Sequence, residues 1–286
     1  MLAARSADVA ATAHTAAPAT APAVRGRPGQ VAPAGPAKGA RPGMTPLIDP
    51  GSTAARWPGP FYSPPATTSG KVFFTDHNGG GWSCSASTVN SNGKNVVFTA
   101  GHCVYGTMGG EIPGETWHTN WTFYPDYYYG PDPRYGAWSA YQLWTKTNYV
   151  NYGDEPDDMG AAVMNTDGSG NHIVNVVGGQ GIEWNYPQGT YQFQFGYPVG
   201  PPFNGQSLQY CTGNSSGDGA GVDSIACNMT PGASGGPWLD RFDGTFGYED
   251  SVNSLYFHYS NGVVYKWDGP YFGDNAGSLY NAVANL

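Results

Sequence analysis

The sequence predicts an all-β protein. The chain holds 43 Gly, 24 Pro and 20 Tyr among 286 residues, a composition suited to short aromatic strands joined by many turns. Its apolar runs are brief and rich in β-branched or aromatic residues, as in Val96-Val97-Phe98 and Tyr191-Gln192-Phe193-Gln194-Phe195. No long segment repeats its apolar residues at helical spacing.

Hydrophobic residues make up 40% of the chain, enough core for one large domain or two small ones. The formal charge of −9 argues against a nucleic-acid partner or an anionic membrane surface. No stretch reaches the ~18 apolar residues of a membrane span. Residues 1–43 carry five bases and one acid, a surplus of +4, so the remainder carries −13. An acidic body of this kind fits a soluble monomer.

Taken in order, residues 1–43 are of low complexity, with fifteen Ala, six Pro and no aromatic residue. Such a segment buries too little apolar surface to offset chain entropy, so it is expected to be disordered. It contains no apolar run of about 7–15 residues, and no signal peptide is read in it. It is expected to be a pro-segment removed ahead of Lys71, or else an inert tail. Residues 44–67 are Pro-rich and carry Trp57, Phe61 and Tyr62; they are expected to lie as an extended strap on a body that starts near residue 68.

Residues Trp82 to Val89 read as a strand, and Val96-Val97-Phe98 as its return. Asn92-Gly93 between them is a strong hairpin signal. A turn centred between Gly93 and Lys94 makes paired positions sum to 187, which places Cys84 opposite Cys103. Cys211 and Cys227 bracket a Gly/Ser/Asp-rich loop about Gly219, and the same symmetry pairs them. Four cysteines in two such pairs suit an oxidising compartment, and the spacing has no C-x₂-C ligand pair. No metal and no cofactor are therefore expected.

Residues 117–152 form a dense aromatic block that includes Trp117, Trp121, Tyr127-Tyr128-Tyr129, Trp138 and Trp144. It is read as an insertion packed by its own rings, with a sugar-binding platform or extended substrate cleft as the other reading. Beyond it, His172-Ile173-Val174-Asn175-Val176-Val177 and Tyr191 to Phe195 read as strands. The second alternates strictly, so one of its faces is expected to be buried. A turn is expected at Asp243-Gly244.

Three stretches carry chemistry. In Gly232-Ala233-Ser234-Gly235-Gly236-Pro237 a serine sits among glycines that let backbone approach closely, but its hydroxyl needs a base. Thr99-Ala100-Gly101-His102-Cys103 places a histidine at a strand end beside a half-cystine. Asp157-Asp158-Met159-Gly160-Ala161 places acids just before a buried run, where a carboxylate needs a donor such as an imidazole N–H.

Together these motifs resemble the chymotrypsin-like (trypsin-like) serine peptidases, over roughly residues 68 to 286. Gly101 before the histidine and the Tyr-rich, Lys-poor body resemble the bacterial glutamyl-endopeptidase-like branch more than animal trypsins. The resemblance implies two six-stranded Greek-key barrels packed face to face, about 68–165 and 166–286, with a short C-terminal helix over 277–286. It implies a catalytic triad of His102, Asp158 and Ser234, and an oxyanion hole from the N–H groups of Gly232 and Ser234. Asp158 fits the family's Asp motif better than Asp157, which strand alternation would turn toward solvent. The implied activity is a secreted serine endopeptidase made as a zymogen, acting on protein or peptide substrates.

Asn228, Thr230, Asn253 and Ser254 are candidates for the substrate pocket. Trypsin-like members carry Asp where Asn228 stands, so cleavage after Lys or Arg is not supported. Glu-specific relatives carry a His near Asn253, which puts Glu specificity in doubt. Two alternatives remain open. Gly232-Ala233-Ser234-Gly235-Gly236 also satisfies the G-x-S-x-G elbow of an esterase or lipase, although only His258 follows it. An inactive β-rich module binding carbohydrate or protein is the other.

Overall fold

The computed structural model describes residues 26–37, 49–106, 116–217 and 221–286, with the backbone alone of Arg5–Ser6. The other parts of the 1–43 and 44–67 segments, and the loop tip around Gly219, lie outside the described residues. In chain order the first half contains β1 (Arg5–Ser6), β2 (Gly29–Val31), β3 (Ala55–Arg56), β4 (Ser69–Thr75), β5 (Gly81–Val89), β6 (Val96–Thr99), β7 (Thr119–Pro125), β8 (Trp138–Thr145) and β9 (Gly160–Met164). The second half contains β10 (Gly181–Trp184), β11 (Tyr191–Gly196), β12 (Gln209–Asn214), β13 (Ser216–Gly217), β14 (Val222–Ala226), β15 (Pro237–Asp240), β16 (Tyr248–Val252), β17 (Leu255–His258) and β18 (Val264–Pro270). Helices are few and short: α1 (Thr147–Tyr152), α2 (Ile173–Val177) and α3 (Asp274–Val283).

Strands β4 to β9 form a closed barrel in the order β5-β4-β7-β8-β9-β6, with β5 also pairing β6. Closure removes the sheet edges that would otherwise invite pairing with another chain. Its interior is apolar, built on Val72, Phe98, Phe123, Met159 and Val163, and α3 caps it with Leu279, Tyr280 and Val283. The second half, joined by β2 and β3 from the N-terminal part, forms two sheets, β2-β10-β16-β15-β11-β12-β3 and β13-β14-β18-β17. Trp57, Phe195, Tyr210 and Phe242 pack edge to face or stacked in the larger sheet's core. Trp238 and Trp267 fill the other core beside the Cys211–Cys227 disulfide. That bridge joins β12 of one sheet to the end of β14 in the other. Apart from the short β1–β5 and β10–β16 pairs, the ladders are antiparallel. This excludes the α/β-hydrolase elbow, which needs a parallel sheet with crossover helices.

Several expectations are corrected. Residues 26–37 are not disordered. β2 pairs antiparallel with β10, Val31 opposite Ile182 and Gly29 opposite Trp184. Backbone pairing needs no particular side chains, so composition alone could not report it. In the strap, β3 pairs β12 and Trp57 is buried, but residues 61–68 run as turns rather than extended chain.

The β5–β6 register pairs Ser87 with Phe98 and Val89 with Val96, so paired positions sum to 185 rather than 187. The Cys84–Cys103 disulfide still forms, because β6 stops at Thr99 and a 3₁₀ turn, Gly101–Cys103, shortens the path. Ile173–Val177 is one helical turn instead of a strand; Gly178 at φ +85 ends it. Both faces of β11 are buried, since Gln192 and Gln194 donate to Asp250 Oδ2 at 2.7 Å and Asn253 Oδ1 at 2.5 Å. The C-terminal helix begins at Asp274, three residues ahead of the expected start.

Candidate active site

His102 sits in the 3₁₀ turn that follows β6, fixed on its C-terminal side by the Cys84–Cys103 bridge. Its Nδ1 lies 2.8 Å from Asp158 Oδ2, and its backbone N–H donates to Asp158 Oδ1 at 2.8 Å. Ser254 Oγ donates to the same Oδ2 at 2.5 Å. Both His102 and Asp158 are buried. Burial pushes the Asp158 carboxyl up, but the His102 charge and the hydrogen bonds from His102 and Ser254 outweigh it and hold the carboxyl below its usual range. A carboxylate so held fixes one imidazole tautomer and favours positive charge on the ring.

Asp158 is not the first residue of a strand. It closes a 3₁₀ turn, Glu155–Asp157, and β9 starts two residues later. Strand alternation therefore does not apply, and Asp157 does not face solvent. It is 6% exposed and accepts from Asn275 Nδ2 at 2.9 Å, which ties the turn to the start of α3. The glycine before the histidine is explained by packing. A Cβ on Gly101 would stand 2.9 Å from Asp158 Oδ1 and from the Tyr149 ring, and 3.0 Å from Thr145 Oγ1.

Ser234 lies in the turn before β15. Its carbonyl accepts from Ser85 N–H at 2.7 Å, one residue from Cys84. Gly235, at φ +76, presses against the end of β6; a Cβ there would stand 2.0 Å from Thr99 Oγ1 and 2.8 Å from Ala100 N. The serine turn is thus seated on the strand end that leads into His102. Ser234 Oγ is buried and makes no hydrogen bond among the described residues. Ser85 Oγ donates to Gly232 O at 2.8 Å and accepts from Tyr197 N–H at 2.8 Å.

The four pocket candidates fare differently. Asn253 is fully buried and saturated. Its Nδ2 donates to Phe195 O and Ala233 O, and its Oδ1 accepts from Gln194 and Trp238. It braces the serine turn and has no capacity left for a substrate. Ser254 is committed to Asp158. Asn228 Oδ1 accepts from Ala54 N–H at 2.7 Å, inside the strap. Thr230 Oγ1 donates to Gly200 O at 2.8 Å.

Some residues at the site carry no motif. His118 is buried, stacks on Phe74 at 4.2 Å between ring centroids, and donates from Nε2 to His102 O at 3.1 Å. Burial pulls its imidazole down to about 4, so it is neutral near pH 7. Trp121 Nε1 donates to Cys103 O at 2.9 Å. These two belong to the aromatic block, which is neither wholly packed nor wholly exposed. Trp121 and Trp138 are buried, whereas Tyr141 is 68% exposed. Trp117, Trp121, Tyr141 and Trp144 line a groove of about 650 Å³, together with His118. Only Cys84, His102 and Cys103 cluster as metal-binding groups would among the described residues, and two of those are a disulfide.

No family profile matches the sequence, and no curated protein does. Solved structures do match. A thermostable serine protease, AL20, from an extremophilic microorganism is 36% identical, with a TM-score of 0.70, over 77% of this chain and 98% of that one. The protease Anisep from Arthrobacter nicotinovorans is 38% identical, with a TM-score of 0.69, over 78% of this chain and 97% of that one. A Glu endopeptidase in complex with MPD, at 19% identity and a TM-score of 0.64 over 84% of this chain and 100% of that one, shares the fold.

Proposed function

Since the chain belongs to the chymotrypsin-like serine peptidases, we propose that it hydrolyses peptide bonds through His102, Asp158 and Ser234, by way of an acyl-enzyme. The observation that carries this reading is the buried His102–Asp158 pair, bonded through both ring and backbone nitrogens. His102 Nε2 takes the Ser234 Oγ proton as that oxygen attacks the substrate carbonyl. It then protonates the leaving amine. Water repeats the sequence and releases the acyl group. Asp158 keeps the Nδ1 proton in place and stabilises the imidazolium. The N–H groups of Gly232 and Ser234 receive the charge that develops on the carbonyl oxygen, each worth ~3 kcal/mol of barrier.

Substrates are proteins or peptides. The two disulfides support secretion into an oxidising compartment, and we read the enzyme as a monomer. An uncharged Asn228, engaged by the strap, gives no counter-charge for a Lys or Arg side chain. Asn253 is spent on the serine turn, so it does not read a Glu.

The test is substitution. Ser234→Ala and His102→Ala should each remove turnover of peptide substrates almost completely while the circular dichroism stays that of the parent, because triad members act as a unit. Organophosphonate should label the parent at Ser234. Turnover within tenfold of the parent in either variant defeats the proposal.

A further inference from the structure

Lys71, in β4 of the closed barrel, holds its ammonium inside the molecule. It is 5% exposed, and burial alone pulls it down to about 8. Its Nζ donates to Gly205 O at 3.0 Å and lies 5.2 and 5.3 Å from the Phe73 and Tyr127 ring centroids. The rings and that carbonyl are its surroundings; no carboxylate forms an ion pair with it among the described residues. A buried cation without a counter-ion is costly, and Met would fill the same space at less cost. The cation is therefore explained by what it grips.

It grips a loop of the other half. Gly205 N–H donates to Pro198 O at 2.7 Å, which closes the loop 198–205. On its far side Val199 N–H donates to Pro231 O at 2.6 Å, and Thr230 Oγ1 donates to Gly200 O. Gly232, at φ +98, folds directly onto the loop: a Cβ there would meet Tyr197 O and Val199 Cγ1 at 2.8 Å each. The loop thus fills the space between Lys71 and the turn 230–232. Ser85 of β5 holds the Gly232 carbonyl from the front, and the loop holds the turn from behind.

We propose that Lys71 is a positioning residue for the oxyanion turn: its charged amine clamps the loop 198–205, and the loop sets the direction of the Gly232 N–H. The inference rests on the peptidase reading. A charge-assisted hydrogen bond is about twice as strong as a neutral one, so the clamp loosens as the amine loses its proton. Burial keeps the neighbouring Tyr127 hydroxyl above its ordinary range, so it stays neutral while Lys71 titrates.

The experiment compares Lys71→Met and Lys71→Arg with the parent, between pH 6 and 9.5. It measures kcat and KM on a peptide amide and the rate of organophosphonate labelling. The parent's kcat should fall with a midpoint near the Lys71 value of about 8. K71R, whose guanidinium keeps its charge, should retain kcat at pH 7 within about fivefold and lose that alkaline fall. K71M should lose about ten- to a hundredfold in kcat with KM within about threefold, because a misdirected donor is felt only in the transition state. Labelling should slow in parallel. A K71M enzyme within twofold of the parent, or a K71R enzyme that keeps the fall, overturns the clamp. If K71M does not fold, the K71R profile decides. A parent that is neither turned over nor labelled at Ser234 sinks the peptidase reading and the clamp with it. A labelled parent with an unaffected K71M sinks the clamp alone.

Discussion

At the residue scale, Asp158 is engaged from three sides, by the His102 ring, the His102 amide and the Ser254 hydroxyl. Replacing it by Asn keeps the size, but an amide can present an N–H to the ring and select the wrong tautomer. Asp158→Asn should reduce kcat by ~10⁴. Asp157, one residue away, holds Asn275 instead. Asp157→Ala removes one of that amide's two acceptors and leaves Pro156 O as the other, which should cost about 0.5–1.5 kcal/mol of stability and less than about tenfold in kcat. Urea titration and steady-state kinetics on both variants separate the two roles; the reverse ranking would mean that the wrong acid has been paired with the ring. The choice between these acids was legible only in part. An Asp-apolar-Gly pattern points to Asp158, but the direction of Asp157 depends on a 3₁₀ turn that strand periodicity cannot foresee. The surroundings of Asn253 are hidden from the sequence for a related reason. Its position in the chain is beside the site, yet its four side-chain hydrogen bonds are made with residues 194, 195, 233 and 238, and no local pattern reveals partners that distant.

At the scale of elements, the strands were legible where turn chemistry and alternation agree, as in β5, β6 and β11, but which of their faces are buried was not legible where polar side chains turn inward. Gln192 and Gln194 look like a solvent face but form an inner polar layer with Asp250 and Asn253. β16 also carries a second acid, whose partner lies in the first barrel. Glu249 is fully buried between the halves, where Ser87 of β5 donates to its Oε2. Burial raises its carboxyl to about 8, opposed by the Ser87 hydrogen bond. The folded value lies above the unfolded one, so the folded state binds the extra proton. The stability linked to Glu249 is therefore complete below about pH 4.5 and is lost as pH rises toward about 8. Glu249→Gln cannot ionise and escapes that loss. Thermal unfolding should show the variant and parent close together near pH 4 and the variant increasingly more stable toward pH 8. A difference that does not grow with pH would mean that Glu249 ionises in the folded protein as it does in water.

At the scale of the whole molecule, the surprise is how the N-terminal region attaches. Residues 26–37 run along the second half as an added edge. β2 pairs β10, Ala34 and Gly179 exchange two hydrogen bonds of 2.8 and 2.9 Å, and Ala37 N–H donates to Asn175 O. Gly29 lies flat on the Trp184 ring, where a Cβ would come within 2.4 Å, and Trp184 leans on Tyr280 of α3 at 5.8 Å. Asn90 Nδ2 and Asn185 Nδ2 hold the Ala32 and Arg27 carbonyls from the body. None of these partners is His102, Asp158, Ser234 or the turn 230–232. The segment therefore supports the fold without covering the site, which argues against an inhibitory role for this part of the chain. A chain starting at Met44 should lose stability, since each removed hydrogen bond contributes roughly 1 kcal/mol and the Trp184 face opens to water. The same deletion bares the outer edge of β10, an unpaired row of N–H and C=O groups that recruits another strand. The truncated protein should accordingly melt several degrees lower, self-associate on gel filtration as concentration rises, and keep kcat/KM on a small peptide amide within about threefold. A synthetic peptide of residues 26–37 should restore both the melting temperature and the monomer by adding the strand back in trans. A truncated chain that is more active and equally stable would instead make the segment a removable inhibitor, and the strand pairing incidental.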